Sequence, residues 1–159
     1  MITLIFETGD TVDFPFDSFV EEDLSGLDLH RAIFERLDVS GADFTGSNLR
    51  NAIFDYAILV GAKMSKAALM NSTFSCAKME DVDLTESIAV FADFYKADLS
   101  GASLKGADVG GSRFIGAKLS SVNLDAKRVD EADFTGAIYD EKTVWPVGFD
   151  PEMYGAIKI

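Results

Sequence analysis

The chain has a single cysteine, Cys76, a single histidine, His30, a single tryptophan and three prolines among 159 residues. One cysteine excludes an intrachain disulfide, and one cysteine beside one histidine excludes the common zinc ligand sets. A lone thiol fits a reducing compartment, so the expected location is cytoplasmic. Basic residues are scarce, 14 against 27 acidic ones, for a formal net charge of −13. That balance argues against direct nucleic-acid binding through a basic patch. No apolar run approaches the roughly 18 residues of a membrane span. The start, "MITLIFETGD", is apolar for a few residues, has no basic flank and soon turns acidic, so it does not read as a signal peptide.

Hydrophobic residues make up 48% of the chain, enough for a packed core despite the charge. The charge sits at the ends. Residues 1–30 hold eight acidic side chains and no basic one, and residues 121–159 carry a net −4. Residues 31–60 and 61–90 each carry −1, and 91–120 carry +1.

Neither the helical period of 3.6 nor the strand period of 2 runs through the sequence, but a period of five does. Stepping by fives from Leu24 to Tyr139 visits 24 positions, of which 22 are Leu, Phe, Val or Met; the exceptions are Ala89 and Tyr139. Two places before each, 18 of 24 positions are Ala or Ser. Residues separated by one lie on the same side of an extended segment, so the large and the small residue face inward together and the residue between them faces out. The next two residues must turn the chain, and Gly recurs at the second, as at Gly41, Gly61 and Gly111. A chain that turns every five residues and always buries the same side winds around an axis. One coil cannot cover its own inner face, so coils must stack.

Segments such as "GADFTG", "KADLSG" and "GADVGG" make this pattern resemble the pentapeptide-repeat family, with its rough consensus A-(D/N)-L-x-x, over about 24–141. The resemblance implies an all-β fold, a right-handed quadrilateral β-helix of about six 20-residue coils, four pentapeptides to a coil. Residues 1–23 are then expected to form N-terminal capping strands, 24–141 the β-helix and 142–159 a C-terminal capping tail. The tail stretch "TVWPVGFDP" is similar to the tails of many cyanobacterial members. The residues carry a period of twenty of their own. One wall collects Phe34, Phe54, Phe74, Phe94, Phe114 and Phe134, the remaining centres hold one Phe, Phe44, and extrapolation backwards reaches Phe14.

Two residues break the inner rule. Ala89 stands where a large side chain belongs, and Phe91 is the expected filler; Lys127 stands where a small one belongs and is expected to reach out to water. Little else suggests chemistry. His30 and Cys76 fall at outward positions with no partner set for nucleophilic or acid–base work. Asp38, Asp43, Asp93, Asp98 and Asp108 occupy the middle position of the family consensus, and the paired glycines of calcium-binding repeats are missing. Asn71-Ser72-Thr73 has the form of a glycosylation sequon, which matters for a secreted chain alone. No catalytic residue, cofactor or metal is therefore assigned, and the expected class is a non-enzymatic structural or protein-interaction module presenting flat faces to a protein partner or to a second copy.

The apolar residues expected to point outward are then the informative ones. Met70, Ile88, Val90, Phe91 and Tyr95 form the first candidate contact patch, and Ile33 with Ile53 a second. The family resemblance adds an alternative: some members imitate duplex DNA and inhibit or protect type II topoisomerases. The net charge fits that alternative. The nearly neutral middle coils and a tail containing Pro146, Gly148 and Pro151, in place of a dimerising C-terminal helix, do not.

Overall fold

The computed structural model describes residues 1–159. From Asp23 onward the chain winds as a β-helix in which each outward residue bridges, in parallel, the residue one coil ahead. Four ladders result: Asp23–Asp43–Lys63–Asp83–Ser103–Asn123, Asp28–Asn48–Ala68–Ile88–Asp108–Lys127, Ile33–Ile53–Thr73–Asp93–Arg113–Asp133, and Asp38–Ile58–Lys78–Asp98–Lys118–Ile138. They divide the surface into four flat faces.

Each pentapeptide satisfies its backbone in the same way, because a short bridge must still pair its buried amides. Phe34 N–H donates to the Ile53 carbonyl (2.7 Å), Ile53 N–H donates to Ala32 (2.9 Å), and Leu37 N–H closes the corner on Phe34 (3.0 Å). The second corner residue takes positive φ at every corner from Glu21 to Ser121, near 57–66° whether it is Gly41, Tyr56 or Phe91, as the third residue of a type II turn does. Bulky residues there carry a backbone penalty of roughly 1 kcal/mol relative to glycine.

The inner Ala, Ser and large residues form one fully buried core. On one wall the rings of Phe34, Phe54, Phe74, Phe94, Phe114 and Phe134 stack at 4.8–5.1 Å with tilts of 4–9°. That separation is the rise between coils, so the backbone spacing sets the stack. Phe44 meets Phe34 and Phe54 edge-on at 5.4 and 5.7 Å. Inner Ser47, Ser72 and Ser112 each donate a hydroxyl proton to the carbonyl three residues back, at 2.6–2.7 Å. The Ser87 hydroxyl has no such partner.

At the N-terminal end β1 (Ile2–Phe6) and β2 (Thr11–Phe14) form an antiparallel hairpin. β1 then pairs, again antiparallel, with β3 (Ala32–Ile33), placing Ile5 beside Ile33. Phe14 does not continue the Phe column. Phe19 lies edge-on beneath Phe34 at 5.6 Å, and Phe14 packs on Phe16 and Phe19. The reason is directional: an antiparallel strand ends the parallel stacking on which the twenty-residue extrapolation depends.

At the C-terminal end β4 (Ile138–Tyr139) takes β5 (Ile157–Lys158) as a parallel neighbour, and Val144 bridges Asn123. Trp145 and Phe149 close on Phe134 at 5.1 and 6.0 Å, and Tyr154 stacks on Phe149 at 4.7 Å.

Within the repeats, before the tail, the five-residue register slips once. Lys127 bridges Asp108, an offset of nineteen, so it occupies an outward ladder position rather than an inner one. The preceding corner is shortened, with Ala126 N–H on the Leu124 carbonyl (2.7 Å), and a 3-10 turn at Val129–Glu131 restores the register at Asp133. Burying an unpaired ammonium costs more than distorting one corner, so the chain moves the lysine out.

Candidate functional site

Outward Asp residues do structural work at the corners. Asp38, Asp43, Asp93, Asp98 and Asp108 each accept the backbone N–H two residues on, at 2.9–3.1 Å. In the fourth and fifth coils, carboxylates also meet a cation one coil ahead: Asp93 with Arg113 (2.8 Å), Asp98 with Lys118 (3.1 Å) and Asp108 with Arg128 (2.7 Å). No group of three or more potential ligands gathers as a metal site.

These turns predict a pH dependence. The Ser40 hydroxyl and N–H hold Asp38 below the usual carboxylate range, Thr135 does the same for Asp133, and the Ser121 N–H leads for Asp140. A depressed folded-state pKa contributes stability that is full above the unfolded value, about 4, and is lost as pH falls through the folded value. The melting temperature is therefore expected to change little between about pH 7 and 5 and to fall below about pH 4, measured by circular dichroism at constant salt.

His30 is exposed; its Nε2 lies 3.1 Å from the Asn51 side-chain nitrogen. Cys76 is half-buried at a corner. Neither has a neighbouring nucleophile or base constellation. Asn71 is exposed at a corner with φ 58°, and Thr73 of the same sequon is half-buried.

The candidate apolar residues separate into two groups. Ile88 lies on the Asp28 ladder, 45% exposed, and Phe91 on the adjoining corner, 64% exposed. Met70 and Val90 occupy equivalent corner positions one coil apart, both half-buried, and Ala68 precedes Ile88 on the ladder. Tyr95 does not join them. It sits at the next corner, beyond the face that carries the Asp93–Arg113 pair, with Lys96 Nζ 5.2 Å from its ring centre.

Phe91 does not fill the place left by Ala89. Its backbone holds φ at 57°, its side chain points outward, and its ring lies over Gly111, where a methyl group would collide with it. Ala89 remains fully buried between Leu69 and Val109 of its column, beside the unpartnered Ser87 hydroxyl.

Ile33 and Ile53 are half-buried neighbours on the Phe wall. β1 covers the free edge of Ile33, so this pair continues the ladder onto Ile5 and anchors the N-terminal hairpin. The sequence pattern could not show this, since the hairpin pairs with a coil about twenty-five residues away.

The acidic ladders are interrupted on every face by lysine, arginine or apolar residues, among them Lys63, Ala68, Ile58 and Arg113. No helix is long and apolar enough to cross a membrane.

A family model described as pentapeptide repeats matches in eight copies, over residues 19–51, 32–69, 47–86, 77–114 and 92–138. Among solved structures, a pentapeptide repeat protein from the thylakoid lumen of Arabidopsis thaliana is 24% identical, covering 69% of this chain and 74% of that one, with a TM-score of 0.47. The pentapeptide repeat protein Rfr23 from the cyanobacterium Cyanothece 51142 is 22% identical over 79% of this chain and 89% of its own, at 0.46. QnrB1, a plasmid-mediated fluoroquinolone resistance protein, is 19% identical over 89% of this chain and 84% of its own, at 0.46. No curated protein matches.

Proposed function

The chain belongs to the pentapeptide-repeat family, whose fold is a right-handed β-helix, and from that premise we propose that it is a rigid, non-enzymatic protein-interaction module. The rod has about six square coils, a strand cap at the N-terminal end and an aromatic tail at the other. Its contact surface is the Asp28 face in the third and fourth coils, with Ile88 and Phe91 as anchors and Met70 and Val90 beneath them.

One observation carries this reading. Phe91 is the most exposed aromatic ring of the repeat region, and it stands at a positive-φ corner that favours glycine. Neither the core nor the turn requires a ring there, and large exposed apolar side chains are favoured where a partner covers them.

Affinity capture from cell extract tests it, using the wild type and the double variant Ile88→Lys, Phe91→Asp as baits. The double variant is expected to lose a specific partner by at least about tenfold while melting within a few degrees of the wild type. Equal recovery on both baits removes this surface from the proposal.

The charge of −13 favours a second reading, an acidic mimic of DNA that binds a type II topoisomerase. The Asp93, Asp98 and Asp108 ion pairs weaken it by neutralising the coils such a mimic would need. Inhibition of gyrase supercoiling, or protection from quinolones, at micromolar protein would favour the mimic over the module.

A further inference from the structure

We infer that the Asp28 face docks a second copy of this chain, the two rods antiparallel and the two-fold axis passing between the third and fourth coils. This rests on reading the Ile88–Phe91 surface as a contact site and names its occupant.

The ladder runs Asp28, Asn48, Ala68, Ile88, Asp108, Lys127. A two-fold axis lying in the face and perpendicular to the rod sets each ladder residue against its counterpart from the other end. Asp28 then comes opposite Lys127, Asn48 opposite Asp108, and Ala68 opposite Ile88. At the corner shared with the Phe wall, Met70 comes opposite Val90 and Asn71 opposite Phe91. At the other corner Lys66 comes opposite Glu86; these two already pair within one chain at 3.8 Å, so the dimer alternates four charges. Arg50, whose Nε is held on Asn48 Oδ1 at 3.1 Å, faces the coil of Asp108, a carboxylate already held at both oxygens by Arg128 of its own chain at 2.8 Å. The corner facing Arg50 is Gly110, which is buried beneath the Arg128 guanidinium of its own chain, so this corner adds no attraction to the match. Opposite charges thus meet at Asp28 with Lys127 and at Lys66 with Glu86, and apolar side chains meet at the centre, the arrangement that fixes register in a specific interface.

Other arrangements lose this match. Moving the axis to the fourth coil sets Ala68 against Asp108. Parallel rods set Asp28 and Asp108 each against its own copy. The same reversal on the Phe wall sets Ile33 against Asp133 and Ile53 against Arg113. The two remaining faces carry charged residues at their centres, Lys63 and Asp83 on one, Lys78 and Asp98 on the other.

The face is small. Six coils at about 4.8 Å give a length of roughly 30 Å and, at about 10 Å wide, a flat area on the order of 300 Å². A standard interface buries about 800 Å² per partner, so the dimer is weak and concentration-dependent.

Sedimentation equilibrium of the full chain from roughly 10 μM to 1 mM tests the inference, a range that covers weak dimers. Wild type is expected to shift from monomer to dimer. Lys127→Glu sets two acidic pairs across the interface and is expected to weaken the dimer about tenfold; adding Asp28→Lys restores it to within about threefold. Ile88→Lys is expected to abolish the dimer with the fold intact, because the new ammonium meets Asp108 one coil on. A wild type that stays monomeric at about 1 mM overturns the inference, as does a double variant no tighter than Lys127→Glu alone. A monomeric wild type whose cellular partner is still lost in the Ile88→Lys, Phe91→Asp bait would leave the contact surface standing without self-docking, so the two failures are distinguishable.

Discussion

Replacing Phe94 by alanine is expected to destabilise the protein by about 3–5 kcal/mol, the largest effect of any single truncation proposed here. The ring is fully buried and stacks on Phe74 at 5.1 Å and on Phe114 at 4.8 Å. Alanine removes the buried area and both ring contacts together, and the coil cannot collapse around the gap because its backbone is tied to the coils on either side. Phe94 N–H donates to Arg113, and Arg113 N–H to Ala92, at 2.7 and 3.0 Å. Phe94→Leu keeps most of the volume and is expected to cost about 1–2 kcal/mol, less than half of the alanine penalty. Urea unfolding followed by circular dichroism measures both. A loss below about 1 kcal/mol for alanine would show that the wall repacks, against the stacked geometry.

Trp145→Ala is expected to cost about 2–3 kcal/mol, below the full range for a buried tryptophan because the side chain is half-buried. Its indole meets Phe134 and Tyr139 edge-on at 5.1 and 5.5 Å and stacks with Phe149 at 5.4 Å, so its removal opens the end of the core to water. The indole N–H is buried without a hydrogen-bond partner. Trp145→Phe removes that orphan donor and keeps most of the contact, so it is expected to fall within about 1 kcal/mol of wild type. Thermal melts of the three proteins separate the two contributions. A phenylalanine variant as unstable as the alanine one would mean that the indole nitrogen is satisfied and needed.

The repeat region was legible because every five residues solve the same local problem. A large inner residue, a small one two places before it and a corner to follow are properties of single pentapeptides. The twenty-residue recurrence of Phe then reports which of those pentapeptides share a wall. Interactions that reach outside the period were not legible. Phe14 has the spacing of a column member, yet its strand runs antiparallel and packs it on Phe16 and Phe19. Lys127 keeps the count of five in sequence, while the structure shortens one corner and inserts a 3-10 turn to keep its ammonium in water.

For the candidate surface, the sequence picked out the outward apolar residues and placed Tyr95 on the next face, yet counted it in one patch with Phe91. Tyr95 is four residues from Phe91 and a whole face away, because a square coil turns the chain between them. Ile33 and Ile53 matched the criterion for an exposed pair and proved to be the edge on which the N-terminal hairpin is laid.

The sequence by itself determined the repeat, the inward and outward sense of almost every residue from 24 to 139, and the Phe wall, since each follows from alternation within an extended pentapeptide. Tertiary structure alone decided how the ends close, where the register yields and which outward residues stand together. Those outcomes depend on strand direction, on the cost of burying a charge and on the rise between coils, and none of the three is a property of neighbours in sequence.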